Sequence, residues 1–258
     1  MKRFGYLIIL VIIFLMAGFQ SHAEGLEGLD CSLSSGAEYY DISTGGEGIS
    51  SNAYIINMIA QIHGTWTFSN RFFLKASGNF PILEGNDREI FSSGGVLLQK
   101  NDFSLNEKSF ELLGGKQLFP LLQPFFGFSV SKLKLERSGL KNFNGILMDD
   151  QLIREFNALL GVKGNYSLTD YASIGYAFTY HSPGTDVEFK NTEFKKVDSF
   201  KVTSELFLKY WLPNEFCQVG LHIYGGKYYY DEKSTANELL PETDIKFLGA
   251  LLKFKIKL

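Results

Sequence analysis

His181 and Ser182 are adjacent in this chain, with Asp186 and Glu188 a few residues further on. An imidazole, a hydroxyl and a carboxylate suggest nucleophilic hydrolysis, which needs the base within hydrogen-bond reach of the nucleophile. Adjacent side chains on an extended segment point to opposite faces, so this pair is expected apart, and the Ser-Pro-Gly at 182–184 also reads as the start of a loop. A second group is ionic: Lys75, Lys163, Lys209, Lys253, Lys255 and Lys257, together with Glu111, Glu155 and Glu205. Enclosed on one surface, these residues form either a basic vestibule that focuses a potential on anions or a paired polar network that fills an interior. The network is the expected outcome. His63 and His222 fall among the same polar positions and are expected in it rather than as metal ligands, and Asp149-Asp150 lie in a solvated loop. Nothing here specifies a catalytic set, a cofactor or a metal.

The elements that carry these residues have period two. From 156 to 166, Phe156, Ala158, Leu160, Val162 and Tyr166 share one face, and Asn157, Gly161, Lys163 and Asn165 share the other. After a tight turn at 168–170, Ala172, Ile174, Tyr176, Phe178 and Tyr180 alternate with Ser173, Gly175, Ala177, Thr179 and His181. That is a hairpin with alternation on both arms. The same pattern recurs at 53–67, 71–82, 199–212, 217–230 and 244–258, with less regular strands at 36–43, 103–118 and 123–137. The chain closes on Leu252, Phe254, Ile256 and Leu258 interleaved with Lys253, Lys255 and Lys257.

Ten strands result, joined alternately by short turns and by longer, more polar connections. An even number of strands with that alternation of turns and loops predicts a closed antiparallel up-and-down transmembrane β-barrel, all-β, with both termini in the periplasm. Closure requires the last strand to pair with the first, since no open edge is tolerated in hydrocarbon. In this arrangement the apolar faces meet lipid and the lysines and glutamates face the lumen. Trp66, Phe72, Phe125, Phe126, Tyr166, Tyr180, Tyr210, Trp211 and Tyr228 to Tyr230 near strand ends suggest interfacial girdles.

Residues 1–23 are expected to be a cleaved signal peptide: Lys2 and Arg3 precede an apolar run from Leu7 to Phe19 and a small-residue site ending at Ala23. The remainder, 24–258, is expected to be one barrel domain in the outer membrane. Losing Lys2 and Arg3 takes the formal net charge from −3 to −5, which argues against a nucleic-acid partner, since that would need clustered basic residues. Expected partners are outer-membrane lipids and lipopolysaccharide, and the barrel-assembly machinery during insertion. Export permits a disulfide. Cys31 precedes the first strand and Cys217 opens the ninth, so a bond across one rim is a hypothesis that requires Cα atoms within about 7 Å.

The segments at 123–131 (QPFFGFSVS) and 161–181 (GVKGNYSLTDYASIGYAFTYH), with the terminal strand, resemble the small Gram-negative outer-membrane barrels of the OmpA and opacity type. That resemblance implies a membrane barrel with a structural or surface-interaction role and a lumen largely filled by side chains. The chain ends on Leu258 where such proteins often end on an aromatic residue. The alternatives are a narrow pore for small solutes and a hydrolase at the outer barrel mouth with His181, Ser182 and Glu188. Outer-membrane lipid A deacylases are similar in using His, Ser and Glu on a barrel, but their His and Ser are one residue apart. Omptin proteases also use ten strands, yet no paired-aspartate motif stands in the matching strands, so that activity is not carried over.

Overall fold

The computed structural model describes residues 26–46, 48–143, 148–182, 184–212, 217–235 and 238–257. The expected signal peptide and Leu258 lie outside the described residues. Along the chain run β1 (Leu26–Gly46), β2 (Ile49–Phe68), β3 (Phe72–Leu83), β4 (Asn86–Ser93), β5 (Val96–Lys116), β6 (Gln123–Asn142), β7 (Gln151–Ser167) and β8 (Ala172–Ser182). They are followed by β9 (Thr185–Phe189), β10 (Thr192–Val197), β11 (Ser199–Trp211), β12 (Cys217–Tyr230), β13 (Lys233–Ser234), β14 (Leu239–Leu240) and β15 (Glu242–Lys257).

Ten of these form the wall, each antiparallel to the next, in the order β1, β2, β3, β5, β6, β7, β8, β11, β12, β15. β15 returns to β1 from Asp30↔Lys257 to Gly45↔Glu242 and closes the barrel. Closure explains why the alternation runs through the last described residues: both sides of that strand are hydrogen-bonded, to β1 and to β12.

The face assignment follows the medium. Leu160, Ile174 and Phe254 are 65%, 43% and 57% exposed on the outside, while Lys163 and Lys255 turn inward and line a cavity. β1 and β5 are 21 residues long, about twice the 9–11 residues a tilted strand needs to cross a bilayer. The half nearer the termini carries the lipid belt. The far half rises above it, and its outward positions become polar: Lys132 and Lys108 are exposed, and Arg154 pairs with Glu188 at 2.8 Å.

Where the surroundings change from lipid to water, the apolar face changes parity. On β1 the outward Leu33 and Tyr39 give way to inward Tyr40 and Ile42; on β6 outward Phe126, Phe128 and Val130 give way to inward Leu133 and Leu135. On β15 outward Leu252 and Leu248 give way to inward Phe247 and Ile245. In water an extended sheet must bury its greasy side inside, whereas in lipid it exposes it. This switch explains why the strands expected at 36–43, 103–118 and 123–137 alternate irregularly: each contains one change of phase.

The longer connections are largely strand rather than loop. β4 continues the line of β3 along β5, and β9 continues the line of β8 along β7. Both hairpins end in two-residue turns with φ positive at both positions, Gly94-Gly95 (55° and 82°) and Lys190-Asn191 (48° and 61°), the geometry whose twist matches the flanking strands. Some aromatics expected in girdles are inside instead: Phe125, Tyr228 and Tyr230 are buried and inward. Trp66 keeps the outward face, where Leu29 and Leu74 cover it, and Phe72, Phe126, Tyr166, Tyr180 and Tyr210 are exposed.

Candidate functional site

The interior is layered. Its far layer is a hydrophobic cluster that includes Tyr40, Ile42, Ile55, Phe103, Leu135 and Ile153, to which β9 and β10 add Val187, Phe189, Phe194 and Val197. Within the same far half lies one buried ion pair. Arg137 donates through Nε to Glu89 Oε2 at 2.7 Å and through Nη2 to Oε1 at 3.1 Å, and neither side chain is exposed. Ser51 and Asn101 each donate to the same carboxylate at 2.9 Å, Arg137 Nη1 donates to the Asp149 carbonyl at 2.6 Å, and the guanidinium lies over Phe91 and Phe103. Residues from β2, β4, β5 and β6 are thereby tied at one point. A fork of donors on a carboxylate is the strong form of such a pair.

The middle layer holds carboxylates capped by tyrosines. Glu38 accepts hydrogen bonds from Tyr40 and from Tyr224, the latter at 2.9 Å. Glu107 accepts from Tyr228 and faces the Lys201 ammonium at 3.4 Å. Glu155 accepts from Ser131 at 2.5 Å and Tyr230 at 2.9 Å. Buried carboxylates are tolerated where such donors replace water. Tyr40 comes from β1, and Tyr224, Tyr228 and Tyr230 come from inward positions of β12, the last two read from sequence as part of a girdle.

The layer nearest the termini is a chamber of about 580 Å³. Lys75, Lys163, Lys209, Lys253 and Lys255 line it, with Asp30, Glu111 and Glu205. Its rim includes Pro120, Gln123 and Ser167 beside the short turns, so it faces the side on which the chain enters and leaves. Lys255 pairs with Asp30 at 2.6 Å, and Glu205 with His222 at 3.1 Å. Lys163 lies over Phe73 at 3.6 Å from the ring centre, and Lys209 over Phe207 at 4.1 Å. Of the charged residues singled out in the sequence, all but Glu155 and Lys257 line this chamber. Glu155 belongs to the tyrosine layer, and nothing is described for the Lys257 side chain.

The hydrolase candidates do not converge. His181 is 3% exposed and points inward, whereas Ser182 is exposed on the opposite face. Register places His181 opposite Leu159 and Glu188 opposite Leu152, about 23 Å apart along the strand at the usual rise. Glu188 instead holds Arg154 on the outer surface. Base and nucleophile stand on opposite sides of the wall.

Cys31 and Cys217 are both opposite Ile256, one on each side of β15. Two strand spacings amount to about 9–10 Å, beyond the roughly 7 Å a disulfide spans. The register thus works against the expected rim bond: sequence could place both residues at one end but not count the strand between them. Non-reducing peptide mass mapping of the folded protein is expected to recover both as thiols; a linked Cys31–Cys217 peptide would contradict the register.

Sequence reasoning missed the far cluster and the Arg137–Glu89 pair. A local signal existed: apolar doublets such as Tyr39-Tyr40, Ile55-Ile56 and Phe247-Leu248 mark where the apolar face changes parity. The pairing of Arg137 with Glu89, 48 residues apart, carries no such mark.

No protein-family model and no curated protein matches the chain. Among solved structures it is similar to the outer-membrane protease OmpT from Escherichia coli, with 12% identity, 92% of this chain and 99% of that chain covered, and a TM-score of 0.64. Looser likenesses include OprG from Pseudomonas aeruginosa (11% identity, 93% and 98% covered, TM-score 0.37) and the transport unit of the Escherichia coli autotransporter AIDA-I (9%, 89% and 90%, 0.43). The fold is that of a Gram-negative outer-membrane β-barrel.

Proposed function

We propose that this protein is a sealed outer-membrane barrel whose role is structural and interactive: it carries a rigid hairpin crown above the lipid and conducts no solute. The observation that carries this reading is the far hydrophobic cluster, in which side chains from the wall and from β9 and β10 pack against one another across the interior. Water and ions would have to cross a packed apolar layer, and interiors at protein packing density have few voids larger than a water molecule. An interior near eight strands is only just wide enough for side chains, and ten strands with large aromatics stay close to that limit. The outward apolar belt would lie in lipid, with the exposed Lys108 and Lys132 above it facing lipopolysaccharide, and insertion would use the barrel-assembly machinery.

Proteolysis is not part of this reading. The likeness to OmpT is in fold, and His181 and Ser182 face opposite ways. Single-channel recording of the purified protein in a planar bilayer tests the proposal. It is expected to show no steady conductance; a reproducible open level would favour the narrow-pore alternative instead.

A further inference from the structure

The chamber nearest the termini is not explained by a sealed barrel. A plug needs no excess charge, yet five lysines meet only three carboxylates here, Asp30, Glu111 and Glu205. Lys255 is taken up by Asp30, and Glu205 holds His222. Lys163 and Lys209 rest on the faces of Phe73 and Phe207, a contact that attracts a cation without neutralising it. Among the described residues Lys75 and Lys253 have no carboxylate within 4 Å. With histidines neutral and every lysine protonated, the residues lining the chamber carry a formal excess of two positive charges.

An independent observation comes from histidine. His63 is 6% exposed, and neither of its ring nitrogens has a hydrogen-bond partner. Buried polar groups are normally satisfied, and an exception calls for an absent partner. His63 lines both the chamber and a small recess above it, where His181 is likewise without a partner at either nitrogen.

Register assembles these groups on one patch of wall. Lys75 of β3 lies opposite Thr65 of β2; Lys253 of β15 lies opposite Ser34 of β1, which lies opposite Gln61 of β2. His63 sits between Gln61 and Thr65 and shares their inward face. Two ammonium groups and a ring nitrogen thus come from β3, β2 and β15, three of four adjoining strands, with β1 between the last two. Beside them Phe73, Leu113 and Phe125 form an apolar shoulder.

We propose that this chamber binds a small phosphomonoester, its phosphate held by Lys75, Lys253 and His63 and its organic body against Phe73 and Phe125. A phosphomonoester carries about −1.5 to −2 charges and three acceptor oxygens, which matches the excess charge and the three donors. Lysine serves phosphate as a point charge. The volume exceeds what inorganic phosphate needs and falls within the roughly 300–1,000 Å³ of small-ligand sites. The ligand enters from the periplasmic side and does not pass the apolar layer.

Isothermal titration of the folded full-length protein in detergent micelles with phenyl phosphate, inorganic phosphate and phenol provides the test. Phenyl phosphate is expected to saturate one site, inorganic phosphate to bind about tenfold or more weakly, and phenol not to bind; the Lys75→Gln/Lys253→Gln double variant should lose about tenfold or more in affinity for phenyl phosphate. Lysine acetylation read by mass spectrometry gives a variant-free measure. Bound phenyl phosphate should shield Lys75 and Lys253 and leave the exposed Lys132 reactive. Absence of saturation by about 10 mM, an unchanged affinity in a folded double variant, or unaltered acetylation of Lys75 and Lys253 would each overturn the proposal.

Discussion

Arg137→Ala will cost the folded barrel about 3–5 kcal/mol, the usual penalty for removing one partner of a buried pair. The size follows from what is left behind. Glu89 has no exposed side-chain surface, and once the guanidinium is gone only Ser51 and Asn101 still donate to its carboxylate. Two neutral donors do not balance a charge removed from water. The Asp149 carbonyl also loses its donor, and the faces of Phe91 and Phe103 lose the cation lying over them. Urea titration in lipid vesicles, followed by the fluorescence of Trp66 and Trp211, measures the change. The companion variant Arg137→Met with Glu89→Gln should recover most of the loss, because a neutral pair leaves no unpaired charge. A loss below about 1 kcal/mol for Arg137→Ala would mean that water reaches Glu89 and that the far layer is not sealed there.

Leu160→Arg is expected to cost about 2–4 kcal/mol in bilayers. On β7 the outward positions run from Arg154, which is exposed and paired with Glu188, through Phe156, Ala158, Leu160 and Val162 to Tyr166 before the turn. Leu160 therefore lies near the middle of the lipid belt, and at 65% exposure its side chain has little protein around it. An arginine there must stay in hydrocarbon or distort the bilayer to reach water, and either is costly. The control lies on the same face of the same strand. Arg154→Leu removes an exposed ion pair worth at most about 1 kcal/mol and stands above the belt. Equal effects at the two positions would place the lipid boundary elsewhere.

These two variants also separate what was legible in the chain from what was not. The faces of β7 and β8 could be assigned residue by residue, since one medium surrounds most of their length and one period describes them. Lys163 and Lys255 were placed inside by the same logic, and they line the chamber. Tyr228 and Tyr230 were misplaced because an aromatic near a strand end suits a lipid interface and a buried layer equally well. Their neighbours decide which: Tyr228 meets Glu107 and Tyr230 meets Glu155.

By themselves, the period of two, the even strand number and the alternation of short and long connections determined a closed antiparallel barrel with lipid on its apolar side. Those are local properties, because a side chain's face depends on its own position in the pleat. Tertiary structure alone decided the pairing of Arg137 with Glu89, the separation of Cys31 from Cys217 by β15, and the convergence of Lys75, His63 and Lys253 on one wall. Each depends on the register between strands, which is set by hydrogen-bonded neighbours far away along the chain. The physical reason is closure: only when β15 meets β1 do distant positions acquire a common height inside the barrel.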